Sequence, residues 1–261
     1  MAERQPRLKP AAFYSRVAGD YHKPPHRRFY CRVAAELLAR VPRDIKARSI
    51  LEVGAGTGFA TRAIREHFPE AGLTALEPAE EMLRRGKEEV PEADWVCCPL
   101  SDFPETGFDL VVASMSYHWL DASEREKLIR LAADGLLALA VPVSGAGGSL
   151  EGDLDGNRAL KETARRFSGA GNWQRSVRRE GEVAGPLRAS FTEVRTFTRR
   201  LSEDYEDWAR LASSLHARGV FYALFNGRTP AAMAEFISAG QSGGRDAAFG
   251  WDICLLVAGN L

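Results

Sequence analysis

The 261-residue sequence has no long hydrophobic run, few cysteines and no net charge. Its most apolar stretch, residues 136–143, is far shorter than the roughly twenty residues that cross a bilayer. Its four cysteines (Cys31, Cys97, Cys98 and Cys254) lack the spacing of a metal site, and the adjacent pair does not suit an ordinary disulfide framework. The first residues, MAERQPR, include no apolar segment of the kind found in signal peptides. We therefore expect a cytoplasmic protein with reduced thiols, no bound metal and no membrane association.

Charge is balanced overall but unevenly distributed. Lysine plus arginine and aspartate plus glutamate both number 35, which gives no global indication of a nucleic-acid or membrane partner. Residues 1–50, however, contain twelve Lys or Arg residues against four acidic ones. Such a surplus is typical of a solvated basic face, and it also suits docking of an acidic partner.

Short apolar runs alternate with helical patterns along the chain. Strands are predicted at 49–53, 73–76, 95–98, 109–113, 136–142, 190–200 and 249–257, and helices at 26–40, 59–67, 80–88, 125–133, 205–218 and 230–239. Pro24 and Pro25 separate the helix at 26–40 from a short helical piece before it. This alternation predicts an α/β fold, with a Rossmann-like seven-stranded, mostly parallel sheet and helices on both faces.

The predicted organisation is a single domain over residues 1–261. Residues 1–45 form a helical segment on the substrate side. Residues 144–188 interrupt the alternation after strand five and are interpreted as an insertion, either a lid over the substrate or a disordered loop.

The most informative stretch is residues 50–58, ILEVGAGTG. An apolar run containing Glu52 leads into Gly54, Gly56 and Gly58, and a helical pattern follows. Glycine lets backbone N–H groups approach a ligand where a Cβ atom would clash, so strand, glycine turn and helix predict a nucleotide-type site. A dinucleotide motif would require glycine at position 59, where Phe59 stands. A carboxylate at Glu52 suits a ligand that carries positive charge.

The E-x-G-x-G-x-G pattern from Glu52 to Gly58 resembles motif I of the class I S-adenosylmethionine-dependent methyltransferases. The resemblance implies S-adenosyl-L-methionine as the cofactor and S-adenosyl-L-homocysteine as its product. It also implies that Glu77, at the end of the second predicted strand, binds the ribose hydroxyls, and that Met82 packs on adenine. The remaining implied cofactor-binding residues are Ala55, Pro78, Leu100, Ser101 and Ser114. Pro99 stands where the family has an adenine-binding aspartate, which leaves backbone groups near Leu100, or Asp102, to hold the base.

Two further segments narrow the resemblance. Residues 13–21, FYSRVAGDY, followed by a helix ending AELLAR, are similar to the start of the malonyl-acyl-carrier-protein O-methyltransferases of biotin synthesis. That similarity implies methylation of the free carboxylate of a malonyl thioester, with an acyl-carrier protein as partner. In the motif IV segment, residues 114–119, Tyr117 and Trp119 are expected to enclose the acceptor together with Tyr21. Arg16 or Arg175 is expected to clamp the acceptor.

The pair His118-Trp119 differs from the more usual Gln-Trp and is similar to methyltransferases that act on trans-aconitate. Another small molecule, such as a free organic acid or a secondary metabolite, is therefore an alternative acceptor. If the acceptor were a phenol, hydroxyl or amine, His118 would be placed to act as a general base. A non-catalytic cofactor-binding protein is a further alternative. Motif IV lacks the Asn/Asp-Pro-Pro-Tyr tetrad of nucleic-acid methyltransferases, so no nucleic-acid partner is expected. The protein is expected to be a monomer.

Overall fold

The computed structural model describes residues 10–104, 106–144, 154–168, 178–225 and 229–260. Its strands are β1 Ser49–Val53, β2 Gly72–Leu76, β3 Asp94–Val96, β4 Leu110–Ser114, β5 Leu136–Ser144, β6 Arg178–Arg179, β7 Glu193–Asp204 and β8 Ala248–Gly259. Its helices are α1 Pro10–Tyr21, α2 Pro24–Leu38, α3 Phe59–His67, α4 Glu80–Glu89, α5 Ala122–Leu131, α6 Asp155–Ser168, α7 Glu180–Arg188, α8 Trp208–Ala217, α9 Val220–Phe225 and α10 Thr229–Ser242. Two 3-10 turns, Leu100–Asp102 and Tyr117–Trp119, follow β3 and β4.

The strands form one sheet in the order β3-β2-β1-β4-β5-β8-β7, and the two-residue β6 pairs with β5. The pairs β1–β2, β1–β4, β2–β3 and β4–β5 are parallel. Apolar residues fill β1, β4 and β5 and are almost completely buried, as expected for strands covered on both faces. The predicted seven-stranded, mostly parallel sheet is confirmed. The order reverses between β1 and β4, and open α/β sheets bind ligands at such a point, outside the carboxyl ends of the strands.

Two helices precede β1, as predicted, and the proline pair separates them. Pro24 is the first residue of α2, two positions earlier than expected, because the first turn of a helix tolerates proline. Helix α1 packs against α4, and α2 packs against α3. Phe13 and Val17 of α1 and Leu37 of α2 are buried. The N-terminal helices therefore cover the two helices that follow β1 and β2.

The predicted boundaries shift at β3 and in the second half of the chain. Strand β3 ends at Val96, so Cys97 and Cys98 lie beyond it. Strand β7 extends to Asp204, and the helix expected at 205–218 begins only at Trp208. Helix α9 follows without having been predicted. The predicted insertion contains α6, β6 and α7. Residues 145–153 and 169–177, which include Arg175, lie outside the described residues, and the lid remains a prediction.

The described residues divide into two compact units. The first comprises the described parts of 10–141, 181–198 and 254–260, and it contains the glycine motif and motif IV. The second comprises the described parts of 142–180 and 199–253. In the second unit, the Asn157 side chain exchanges two hydrogen bonds with the backbone of Gly250, at 2.9 and 2.8 Å. Nearby, the rings of Phe221 and Phe236 lie 5.5 Å apart.

None of the helices in the described part of the chain combines the length and the apolar character needed to cross a membrane.

Candidate functional site

The glycine turn after β1 has a backbone that only glycine adopts at low cost. Gly54, Gly56 and Gly58 have φ angles of 73°, 59° and 89°, all in the left-handed region. Gly58 is the N-cap of α3, and a Cβ atom at this position would lie 3.3 Å from Cα of Gly86 in α4. The predicted strand, turn and helix are therefore present, and glycine at position 58 lets α3 and α4 approach closely.

The turn after β4 packs directly on the glycine turn. A Cβ atom at Gly54 would lie 2.4 Å from Cβ of Ser116. The Ser116 hydroxyl donates a hydrogen bond of 2.5 Å to the carbonyl of Val53. Between Ser114 and Ser116, Met115 has a φ of 59°, which is strained for a side chain of its size. Sequence analysis missed Ser116, because a single serine gives no signal of a contact 63 residues back along the chain.

Glu52 lies near the carboxyl end of β1, at the point where the strand order reverses. Its backbone pairs with Ala75 of β2 on one side and Val112 of β4 on the other. The side chain is only 1% exposed. Burial raises the pKa of Glu52 from its usual 4.5 to about 8; the Thr61 hydroxyl offsets part of this effect, and the charge of Glu77 adds to it. Among the described residues, no donor reaches Oε2 of Glu52. A buried carboxylate oxygen in this state favours a cationic or hydrogen-bond-donating ligand.

Glu77 follows β2 and reaches across to the glycine turn. Its carboxylate accepts hydrogen bonds from the backbone N–H groups of Gly56, at 2.9 Å, and Ala79, at 2.8 Å. Burial raises the pKa of Glu77 to about 7, and the same two N–H groups partly oppose this shift. The acidic residues predicted to grip the cofactor, Glu52 and Glu77, therefore lie at the carboxyl ends of adjacent strands.

The residues predicted to lie on the adenine side are two buried apolar side chains and a short turn. Met82 and Leu100 are 1% and 3% exposed. The turn that begins at Leu100 is held from α5 by the buried Lys127, whose ammonium donates to the carbonyl of Ser101 at 2.9 Å and to that of Phe103. Of the other implied cofactor residues, Ala55 is buried, Ser114 is half-buried, and Pro78 and Ser101 are exposed. Lys127 was not predicted.

An aromatic cluster connects the N-terminal helices to both turns. It consists of Tyr14 and Tyr21 of α1, Tyr30 of α2, Phe59 of α3 and Trp119 of the turn after β4. The ring of Tyr21 stacks on that of Tyr30, with centroids 5.0 Å apart, and lies parallel to that of Phe59 at 6.4 Å. Tyr14 contacts Trp119 edge-on at 5.6 Å and Tyr21 at 6.0 Å. These rings bring Tyr21 and Trp119 into one apolar layer that begins at the residue after Gly58.

The other residues predicted to act on the acceptor are placed differently. Tyr117 is 1% exposed and packs below the guanidinium of Arg125, 5.3 Å from its ring centre. His118 is half-buried, and its ring lies 5.0 Å from that of Trp119. Arg16 is exposed on α1. Tyr14, which sequence analysis left out, joins Tyr21 and Trp119. Its spacing of seven residues from Tyr21, which places both on one face of a helix, would have indicated it.

These residues fit S-adenosylmethionine. The cofactor presents an ammonium group, a sulfonium, a ribose diol and an adenine ring. Glu52 has a carboxylate oxygen available for the ammonium group, and Glu77 has a carboxylate beside the glycine turn. In the described part of the chain, no group of three or more His, Cys, Asp or Glu side chains is arranged to hold a metal ion.

Comparison with known proteins matches part of this chain to methyltransferases. Residues 50–137 match a protein-family profile described as "Methyltransferase domain". A trans-aconitate 2-methyltransferase of Azoarcus sp. (strain BH72) is 33% identical over 115 residues, which are 42% of this chain and 45% of that protein. A malonyl-[acyl-carrier protein] O-methyltransferase of Neorickettsia risticii (strain Illinois) is 35% identical over 114 residues, 42% of this chain and 44% of that one. The chain thus spans about half the length of the curated relatives it matches.

Among solved structures, the YcgJ protein of Bacillus subtilis superposes with a TM-score of 0.56 at 13% identity, over 87% of this chain and 98% of that one. At this identity the likeness shows the fold alone. The profile match covers both the glycine turn and the turn after β4. Residues 50–137 of this chain thus match a methyltransferase domain, and the sheet around them has the fold of the solved structure.

Proposed function

We propose that this chain transfers the methyl group of S-adenosylmethionine to a free carboxylate, and that the acceptor is a malonyl thioester on an acyl-carrier protein. The observation that carries the proposal is the buried Glu52 carboxylate, whose Oε2 has no donor among the described residues, beside a left-handed glycine turn. The names of the relatives support a carboxylic acid as acceptor, since malonyl-carrier protein and trans-aconitate both carry free carboxylates.

Each part of the site has a distinct task in this proposal. Glu52 would bind the cofactor's ammonium group, and Glu77 its ribose hydroxyls. Met82 and the turn at Leu100 would hold adenine. The bound cofactor supplies an electrophilic methyl carbon on a cationic sulfur. An ionised carboxylate can accept this methyl group without first losing a proton. Because ordinary carboxyl groups titrate near pH ~4, the acceptor needs no general base at neutral pH.

The aromatic cluster would orient the acceptor and exclude water. Opposite charges cancel when an anionic acceptor takes a methyl group from a sulfonium, so a dry apolar wall favours the neutral ester. In this wall, the ring of Tyr14 contacts those of both Trp119 and Tyr21. Because the acceptor needs no general base, alignment of its carboxylate with the methyl group would be the main contribution of the protein to catalysis. Tyr117, buried under Arg125, would support the turn from below.

The acyl-carrier partner is supported by the charge of the N-terminal segment. Among its basic residues, Arg28, Arg32, Arg43 and Lys46 are exposed. An acidic carrier protein would be steered toward such a face by its complementary charge.

A free organic acid is the second candidate acceptor. It is favoured by the His118-Trp119 pair and by the trans-aconitate 2-methyltransferase relative. A further possibility, an acceptor that must lose a proton, would use His118 as its base. The pH dependence of kcat at saturating cofactor separates this case, since a histidine base predicts loss of kcat below pH ~6.5, whereas a carboxylate acceptor predicts no such loss.

The test is transfer of radiolabelled methyl from S-adenosylmethionine to malonyl-carrier protein, malonyl-coenzyme A, malonate and trans-aconitate, supplied separately. We expect the carrier protein to be the best acceptor. Glu77→Gln should raise the KM for the cofactor about tenfold or more, because hydrogen bonds to a charged group contribute ~1.5–3 kcal/mol. Glu80→Gln, which removes the same charge from an exposed position three residues on, should leave it unchanged.

Better labelling of trans-aconitate would replace the carrier-protein acceptor with the free acid. Absence of label in all four carboxylates would contradict carboxyl methylation itself.

A further inference from the structure

A cationic cluster lies on the outer side of the glycine turn. It consists of His22, at the end of α1, Arg27 of α2, Arg62 of α3 and Arg85 of α4. Glu89 of α4 is the acidic residue paired with several of them. Its Oε1 contacts Arg27 at 2.6 Å and Arg62 at 2.8 Å, and its Oε2 lies 3.9 Å from Nε2 of His22. The Glu89 carboxylate thus contacts two guanidinium groups and an imidazole.

Within the described residues, Arg85 is the member of the cluster that forms no ion pair with Glu89. It is half-buried, and its guanidinium runs along α1, with Nη2 3.5 Å from where a Cβ atom of Gly19 would stand. Its Nε is buried and has no hydrogen-bond acceptor within the described ranges. The preceding residue, Arg84, forms ion pairs with Glu81 and Glu88 at 3.2 and 2.6 Å. The two neighbouring arginines therefore differ: Arg84 is paired with acidic side chains, whereas Nε of Arg85 has no acceptor among the described residues.

His22 faces the same position from α1. Its Nδ1 is buried and, like Nε of Arg85, has no partner in the part of the chain that the structure describes. Burial lowers the pKa of His22, the negative charges of Glu89 and Glu88 oppose this shift, and the positive charges of Arg85 and Arg27 add to it. Cations therefore converge on His22, and two buried nitrogens there lack partners. Buried polar atoms in this state normally have a ligand or water as partner.

The cluster adjoins the cofactor turn and the aromatic cluster. Gly86, next to Arg85, packs on Gly58, and a Cβ atom at Gly58 would lie 3.4 Å from Cβ of Glu89. The ring of His22 stacks on that of Phe59, with centroids 5.2 Å apart. A ligand group bound by His22 and Arg85 would therefore lie beside the turn that follows β1.

We propose that His22, Arg27 and Arg85 form a carboxylate-binding subsite beside the glycine turn. Arginine matches a carboxylate in charge and in planar, two-pronged geometry, and the imidazole adds a donor. Two ligands carry a carboxylate that suits this subsite. The first source is the methionine carboxylate of the cofactor, and the second is a second carboxylate of a polyacid acceptor. The first source depends only on the cofactor, whereas the second rests on the proposed function.

The experiment compares wild type, Arg85→Met and the matched control Arg84→Met by calorimetry, so no turnover is needed. For the cofactor source, the ligands are S-adenosylmethionine and its decarboxylated analogue. We expect wild type and Arg84→Met to bind the intact cofactor at least about tenfold more tightly than the analogue. Arg85→Met should bind the two alike.

For the acceptor source, trans-aconitate is titrated into each protein saturated with S-adenosylhomocysteine. Here Arg85→Met alone should bind trans-aconitate about tenfold more weakly, and all three proteins should bind the two cofactor forms alike. Arg85→Lys keeps the positive charge but loses the planar guanidinium with its paired N–H donors, so its affinities should be intermediate. It replaces Arg85→Met if that variant does not fold. The subsite is disproved if Arg85→Met matches Arg84→Met in both titrations. Because both are binding measurements, failure of methyl transfer to any acceptor does not affect their outcome.

Discussion

At the scale of single residues, Glu52 decides how the site responds to pH. Its carboxylate is buried, lies close to a second acidic residue and keeps one oxygen without a donor among the described residues. Burial raises its pKa to about 8, so in the cofactor-free protein it carries a proton at neutral pH. The folded state thus binds this proton more tightly than the unfolded chain, in which the pKa is near 4.5.

The first prediction concerns stability. Between pH ~4.5 and ~8 the unfolded chain releases the Glu52 proton while the folded protein retains it, so the free energy of unfolding falls as pH rises through this interval. Glu77, with a pKa of about 7, contributes with the same sign. Glu52→Gln removes the Glu52 share, and its stability should fall less than that of wild type between pH 5 and 9. Denaturant unfolding without cofactor measures both slopes; parallel slopes would contradict the raised pKa.

The same ionisation governs cofactor affinity. A cationic ligand is bound by the ionised form of Glu52, so affinity for S-adenosylmethionine should increase from pH 6 to pH 8.5. Glu52→Gln should bind about ten- to hundredfold more weakly, since a hydrogen bond to a charged group contributes ~1.5–3 kcal/mol. Most of the pH dependence should disappear with it. Calorimetry at each pH measures this, with Glu80→Gln as the exposed control.

At the scale of elements, α5 holds the turn on the adenine side in place. Lys127 is 9% exposed, and its ammonium donates to two carbonyls of the segment around Leu100. This contact ties the end of β3 to the helix that follows β4. A 3-10 turn of three residues has few hydrogen bonds of its own, so we infer that the lysine fixes its position.

Lys127→Met should therefore weaken cofactor binding more than it slows methyl transfer. Two carbonyls lose a charged donor, which costs ~1–3 kcal/mol of stability for a buried unsatisfied group, and the turn becomes mobile. We expect the KM for the cofactor to rise several-fold while kcat at saturation stays near that of wild type. Lys87→Met on α4 removes an exposed lysine and should change neither. A fall in kcat with unchanged KM would show that the turn does not act through adenine.

At the scale of the whole molecule, the two compact units differ in how they bury charge. The unit containing the glycine motif buries Glu52, Glu77 and Lys127 around its site. The other unit, the described parts of 142–180 and 199–253, pairs its buried charges with opposite charges. Arg218, 1% exposed at its side chain, pairs with Glu203 through both terminal nitrogens, and Arg200 pairs with the buried Asp252 at 2.8 Å.

Removing one partner of such a pair should destabilise this unit strongly. Arg218→Met leaves Glu203 without its buried counter-charge, at an expected cost of ~3–5 kcal/mol. Its guanidinium also lies over the ring of Trp251, 5.6 Å from the centre, so packing is lost with the charge. Arg210→Met, which breaks only exposed pairs, should cost less than ~1 kcal/mol. Thermal unfolding of the two variants and of wild type measures the difference; equal midpoints would contradict it.

Much of the fold was predictable because its signals are local. Apolar runs of strand length, the proline pair at 24–25 and helical spacing gave the strands through β5 and the covering helices close to their observed limits. The third strand was predicted to begin one residue and to end two residues too late, and α9 was missed. Both elements are short: β3 has three residues and α9 has six. So few residues give too little periodicity to fix the limits of an element from the sequence.

The sequence by itself determined the cofactor turn, because glycine is the residue that adopts the left-handed conformation at low cost and three glycines recur there at fixed spacing, and it indicated Glu52 and Glu77 by their distance from that turn. Tertiary structure alone decided which groups meet across it. Ser116 under Gly54, Tyr14 against Trp119, Lys127 beneath the adenine-side turn and Arg85 beside His22 all join residues whose proximity depends on strand order and helix packing. Local propensity carries no information about such contacts, since they exist only once the sheet has formed.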